Sequence, residues 1–205
     1  MLEMFQKGGP VMYFILLCSL VAAVIIIERL IYFRRIRVDE DALLARLKAT
    51  LAKGHAEEAL AICEANPSPI TNLMRAGIDN RHEPKQVIRE AVLDAANLEI
   101  PRLERFLSTL GTVGNLATLL GLLGTVTGNI KSFGVIGQLG VVGDPGLLAR
   151  GIAEALLTTA FGLIVAIPVI FFYNLLVTRV NNVITRLESR VNQLVTLLEG
   201  SKNAL

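Results

Sequence analysis

Three long uncharged stretches constrain this chain more than anything else in it. Val11 to Ile27 holds 17 residues without a charge, and after Glu28-Arg29 the apolar character resumes to Phe33. Phe106 to Ile130 gives 25 uncharged residues, and Ala155 to Thr178 gives 24. A helix needs about 20 apolar residues to cross the hydrocarbon core of a bilayer. Backbone N–H and C=O groups find no water there, so spanning segments must be helices or closed barrels, and runs this continuous exclude the alternating strands of a barrel. The chain is expected to be an all-α integral membrane protein with three transmembrane helices.

Composition supports this and removes other classes. Hydrophobic residues make up 53% of the 205, and the mean hydropathy of +0.56 is too high for an ordinary soluble domain. A net charge of +2 and the absence of Trp leave no basic, aromatic-interleaved surface for nucleic acid. Cys18 falls in the first span and Cys63 between spans, neither with a partner at ligand spacing, so no disulfide, metal or cofactor is expected. No Ser-His or Cys-His pairing and no phosphate loop appears, and His55 and His82 stand alone, so an enzyme is not expected.

Basic residues set the orientation. Twelve of the 20 Lys and Arg lie in residues 34–105 and four follow Thr178, whereas only Lys7, Lys131 and Arg150 belong to the opposite side. That asymmetry puts the N-terminus outside and the C-terminus inside. Arg34, Arg35 and Arg37 directly follow the first stretch, which has no basic leader and no small-x-small cleavage site, so it reads as a retained anchor rather than a cleaved signal.

The expected organisation is a short external N-terminus with the first span (1–33), a cytoplasmic helical segment (34–105), a second span (106–130), an outer loop (131–151), a third span (152–178) and a cytoplasmic C-terminal helix (179–205). Within 39–66 two helices break at Lys53-Gly54, with Leu43, Leu44, Leu47 and Leu51 on one face. Pro67 and Pro69 separate a third helix over about Ile70 to Asn80, and a fourth starts at Glu83-Pro84. Pro101 is expected to bend that helix, with a helical pattern resuming from Arg102 to Phe106. In the tail, Val180, Val183, Ile184, Leu187, Val191, Leu194 and Leu198 recur at helical spacing with no Gly or Pro before them. Spans two and three therefore extend into a cytoplasmic helical stalk; a peripheral helix lying on lipid is the competing reading of the tail.

The second and third spans differ in kind from the first. Gly121, Gly124 and Gly128 face Ala155, Gly162, Ala166 and Pro168 as small helix-packing positions. The two spans run antiparallel through one bilayer, so residues i and 284−i lie level, which pairs Thr125 with Thr159. In a ring such a pair becomes a girdle of hydroxyls, although threonines in spans also bond their own backbone. Glu154, the acid at the start of the third span, is either functional or an ion-pair partner of Arg150 four residues earlier.

The motifs LGLLGTV (Leu120 to Val126), GIAEALLTTAFGL (Gly151 to Leu163), IVAIP (Ile164 to Pro168), Tyr173-Asn174 and Glu28-Arg29 together resemble the MotA/TolQ/ExbB proton-channel family, over nearly the whole chain. Three spans favour its ExbB/TolQ branch, ExbB first. The resemblance implies a pentameric ring in the bacterial inner membrane, enclosing two single-span helices of an ExbD/TolR-type partner. Proton flow there would drive a TonB- or TolA-type protein that spans the periplasm. It implies pore positions at Thr125 and Thr159 and a sensitive glutamate at Glu154. No Asp, His or Lys lies deep in any span, so the titrating acid has to come from the partner. Longer members carry more chain before the first span, and an activity that needs such an extension is not expected here. A non-conducting membrane scaffold is the alternative of another class.

The orientation is directly testable. A thiol reagent that cannot cross the membrane should label a cysteine placed at Gly143 in intact cells and leave one at Ser189 unlabelled. The reverse pattern would invert the topology.

Overall fold

The computed structural model describes residues 9–139 and 145–202. All regular structure among them is helical: α1 (Val11–Arg35), α2 (Glu40–Ala52), α3 (Ala56–Ala65), α4 (Pro69–Asp79), α5 (Lys85–Glu104), α6 (Leu107–Leu139) and α7 (Pro145–Lys202). Helices α1, α6 and α7 each contain a stretch long and apolar enough to cross a membrane. The chain divides into two compact units. One joins Phe106–Leu176 to the chain up to Arg29; the other joins Leu30–Arg105 to the chain from Val177 onward.

The first unit holds the apolar parts of α1, α6 and α7. Its interior is narrow and built from small or slender side chains: Ala22 on α1, Leu110 and Ala117 on α6, Ala155, Ala166 and Leu176 on α7 are all buried. Large apolar side chains turn outward instead, among them Leu20, Val24, Ile27, Leu119, Ile130, Leu156 and Ile167. This is the inverse of a water-soluble bundle and suits a surface solvated by lipid chains.

Two boundaries differ from expectation. Residues 131–139 continue α6 and residues 145–151 begin α7, so most of the expected outer loop (131–151) is helix. Glycine within a helix costs only about 1 kcal/mol relative to alanine, too little for Gly134 to end α6, and Pro145 occupies a first-turn position that tolerates proline. Gly143 lies outside the described residues. The second difference is at Pro101, which α5 absorbs without ending. The interruption falls at Arg105 and Phe106, where Phe106 adopts φ +63°. A bulky residue in the left-handed region is strained, and α6 starts from it with the Leu110 N–H donating to the Phe106 carbonyl at 2.9 Å.

The second unit is an ordinary helical core. Helices α2 to α5 pack each on the next in chain order. Leu43, Leu44, Leu47 and Leu51 of α2 are buried, as are Ala59 and Ile62 of α3, Leu73, Met74 and Ile78 of α4, and Ile88, Val92 and Leu103 of α5. The Gly54 turn, at φ +78°, separates α2 from α3. Ser68 opens α4 with a reciprocal capping box: its backbone N–H donates to Thr71 Oγ1 at 2.8 Å, and its hydroxyl accepts from the Thr71 N–H. The buried Glu99 carboxylate accepts from Asn72 Nδ2 at 2.8 Å and Arg102 Nη1 at 2.7 Å, so its charge is compensated where water is scarce.

Helix α7 runs without a break from Pro145 to Lys202. Val180, Leu187, Val191 and Val195 form its buried line in the second unit, while Arg186 and Arg190 pair with Glu40 and Asp41 at the start of α2. These contacts tie the tail to the helical core.

Cys63 sits in the same core. Burial pushes its thiol up to about 11, opposed by Arg75 and reinforced by Asp79 and Glu64. Because the thiolate is the nucleophile, a rise from 9.0 to about 11 leaves roughly a hundredth of the ordinary reactive form at neutral pH. In a Cys18→Ala chain, maleimide labelling of Cys63 should therefore be slow at pH 7.5 and accelerate through pH 10. Rapid labelling at neutral pH would show that the α3–α4 core opens readily.

Candidate functional site

In the first unit, α6 and α7 approach each other closely along a seam. On α6 it runs through Gly111, Gly114, Ala117, Gly121, Gly124 and Gly128 at steps of three and four. A side-chain carbon at Gly121 would lie 3.3 Å from the Thr159 Cα, and one at Gly162 would lie 2.8 Å from the Ala117 carbonyl oxygen and 2.9 Å from the Gly121 Cα. These are backbone atoms, which cannot rotate aside. Lipid gives helices no hydrophobic reason to associate, so such contact supplies the packing energy instead.

Gly121, Gly124, Gly128, Ala155, Gly162 and Ala166 are all buried in this seam or beside it. Pro168 is not: it is exposed, because two residues from Ala166 is more than half a turn around the helix. Its place among the packing residues is corrected accordingly. Gly111 meets the Tyr173 ring, as the relation between i and 284−i requires, and Gly128 meets Ala155, one residue away from the position that relation assigns.

The two threonines lie within about a turn of each other in depth, but their hydroxyls go separate ways. Thr159 Oγ1 donates across the seam to the Gly121 carbonyl at 2.9 Å and shares its proton with the Ala155 carbonyl at 3.3 Å. Thr125 Oγ1 donates to Leu122 of its own helix at 2.6 Å. Thr158 takes the fully buried position, with its methyl and hydroxyl against Gly124 and its proton on the Glu154 carbonyl. The lack of a side chain at Gly121 is what lets Thr159 reach a neighbouring backbone.

Glu154 caps the same seam. Its Oε1 lies 2.9 Å from Lys131 Nζ across the helix pair, so its ion-pair partner is Lys131 of α6 and not Arg150 of its own helix. A side-chain carbon on Gly9, just before α1, would lie 2.8 Å from the same oxygen, so this carboxylate also closes against the chain entering the first helix. Lys131 is 57% and Glu154 26% exposed, which limits the pair to about 1 kcal/mol or less. Near the other end of α1, Arg29 is 1% exposed, held by two bonds of 2.5 and 2.6 Å to Glu28 and lying 5.9 Å from the Phe106 ring centroid. Its buried charge is thereby matched by a carboxylate and an aromatic face.

Among the described residues no three His, Cys, Asp or Glu side chains gather as a metal site. The functional residues that sequence reasoning passes over are Lys131 as partner of Glu154, Thr158 as the inward hydroxyl, and the amides of Asn115 and Asn129, both exposed on α6.

Comparison with known proteins gives a consistent result. Residues 65–189 match the model of the MotA/TolQ/ExbB proton channel family. A protein described as an ExbB homolog of biopolymer transport, from Methanothermobacter thermautotrophicus, is 31% identical over 91% of this chain and 66% of its own length. An ExbB-like protein from Synechocystis is 34% identical over 87% of this chain and 71% of its own. A Tol-Pal system protein TolQ from Haemophilus influenzae is 36% identical over 51% of this chain and 46% of its own. The chain thus spans about two thirds of the length of the two ExbB-type relatives.

The seam predicts an asymmetry between two glycines of the same unit. Gly162→Ala has to push the facing backbones apart and should cost about 1–3 kcal/mol. At Gly134 an added carbon meets nothing within 4 Å, so Gly134→Ala should be neutral or slightly stabilising. Thermal unfolding in mild detergent should show a lowered Tm for the first variant alone; equal behaviour would mean the seam is looser than described.

Proposed function

The chain belongs to the MotA/TolQ/ExbB proton channel family, and from that premise we propose that it is the ring-forming subunit of a proton-driven motor in the bacterial inner membrane. It is a multi-pass membrane protein by family and by its three apolar helices. In the proposed arrangement the N-terminus faces outward, and residues 34–105 and 179–205 lie in the cytoplasm, an orientation supported by the Lys and Arg count. Five copies surround two single-span helices of an ExbD/TolR-type partner, and a TonB-type protein carries the resulting motion to the outer membrane to energise transport.

The observation that carries this reading is the Thr159 hydroxyl bonded to the Gly121 carbonyl. With its proton placed on backbone, the Thr159 oxygen keeps lone pairs that can accept from a protonated acid or a water. Thr125, with its proton on Leu122, is poised in the same sense. Neither titrates, so the chain's own part is to stabilise the neutral form of a partner carboxyl group as it gains and loses a proton. Glu154 with Lys131 would set the charge at the mouth of that path.

An ExbB-type role in nutrient uptake is preferred because the ExbB-type relatives match 91% and 87% of the chain and the TolQ relative 51%. A TolQ-like role in envelope integrity is the alternative, and a non-conducting scaffold a further one.

Thr159→Val tests the reading, since valine keeps the shape and loses the hydroxyl. Loss of one bond costs about 0.5–1.5 kcal/mol, too little to dissolve the assembly. The ring and its partner should still co-purify, while energy-dependent uptake should fall severely. Full activity from an assembled Thr159→Val complex would sink the proposal, and a scaffold would be indifferent to the change. Deleting the ExbD-type or the TolR-type partner in turn would separate uptake from envelope integrity.

A further inference from the structure

Helix α6 divides its circumference into three strips. Gly114, Ala117, Gly121, Gly124 and Gly128 are buried against α7. Leu116, Leu119, Leu123, Val126, Ile130 and Phe133 form an exposed strip that is wholly apolar. Between them, one residue past each member of the seam, runs Asn115, Thr118, Leu122, Thr125 and Asn129. Its steps of three and four keep it on one face for about four turns. Asn115, Thr118, Leu122 and Asn129 are exposed and Thr125 is half-exposed.

The third strip is built for water. Thr118 and Thr125 spend their protons on the Gly114 and Leu122 carbonyls of their own helix, so both present oxygen lone pairs outward. An asparagine amide offers two donors and an acceptor and cannot satisfy them all on its own turn. Two such amides turned to hydrocarbon would be strongly unfavourable. The neighbouring strip, free of every polar residue in its central turns, is the one suited to lipid. Four of five positions in the third strip are therefore neutral hydrogen-bonding groups, which suit water rather than an ion.

The exception is Leu122, 59% exposed at the midpoint. Asn115 lies seven residues below it and Asn129 seven above, about 10 Å in each direction along the helix. Thr118 and Thr125 lie about one turn away on either side. Resting on the ring-motor reading above, we infer that this strip lines two hydrated vestibules and that Leu122 is the dry constriction between them. Apolar rings gate by excluding water. Protons would reach Asn129 from one side and Asn115 from the other, and would cross Leu122 only on a group the partner carries past it. Motion of the partner is then the condition for conduction, and the ring does not leak at rest.

The test uses the full chain assembled with its single-span partner, in a Cys18→Ala, Cys63→Ala background. Single cysteines replace Asn115, Leu122 or Asn129, and silver ion is the probe, read by the loss of later maleimide labelling. Thiols at 115 and 129 should react at least about tenfold faster than one at 122. Separately, Leu122→Asn should raise passive proton entry into cells at least about tenfold on external acidification, while Leu122→Ile should not. Equal reaction at all three positions, or no reaction at 115 and 129, would overturn the inference, the latter by showing a dry contact or lipid there. An assembled Leu122→Asn complex that does not leak would also overturn it; if that variant fails to assemble, the silver rates decide. Uptake by the wild-type complex that ignores the proton gradient would instead remove the motor reading. Gradient-driven uptake with a fast-reacting thiol at 122 would remove the constriction alone.

Discussion

The approach of Gly121 to Thr159 and Gly162 governs the rest of the first unit. With no hydrophobic drive between helices in lipid, α6 and α7 are held by backbone-to-backbone contact and by a hydroxyl that reaches across to a carbonyl. That contact also fixes the rotation of α6 about its axis. Once the glycines face α7, Asn115, Thr125 and Asn129 are committed to an adjacent strip, and the leucines to a third. Where the polar groups of the span emerge is thus a consequence of where its smallest residues pack.

The two units answer to different solvents with the same chemistry. In the first, charge is confined near helix ends, with Lys131 and Glu154 at one level and Glu28 and Arg29 at another. In the second, a charge can sit inside provided it is matched: Glu99 is buried with Asn72 and Arg102 on it. There the interior is made of leucine, isoleucine and methionine, and the exterior is charged. Leu98, 71% exposed on α5, is the conspicuous departure from that rule.

Much of this is legible in the residues. Lys53-Gly54 and Pro67 to Pro69 mark turns by conformational preference alone, and the four leucines of α2 are buried as their spacing requires. Even the pairing of α6 with α7 follows from span lengths to within a residue, because both helices cross one slab. What fails are inferences that stop at a single helix. Spacing along α7 matches Glu154 to Arg150, although the level relation between the helices already sets Lys131 within a residue of it. Pro101 draws attention as the proline of α5, yet a helix tolerates an exposed proline more easily than the chain tolerates the turn at Phe106, which no local preference of phenylalanine announces. Composition groups Pro168 with its small neighbours, while its angle around the helix sets it apart. The outer loop is shorter than the glycines suggest, because glycine in a helix costs too little to act as a stop.

Helix α7 and the α5–α6 connection differ in what they can transmit. A continuous helix resists twisting, because turning one end strains every hydrogen bond along it, and α7 keeps its ladder intact from the span through Val180 and into the tail held by Glu40 and Asp41. At Arg105 and Phe106 the ladder is interrupted, and two backbone dihedrals there can absorb a rotation that would otherwise have to travel. The subunit therefore has both a torsion rod and a swivel in its sequence. Torque applied to the third span is felt at the C-terminus, while torque applied to the second is dissipated at a single phenylalanine.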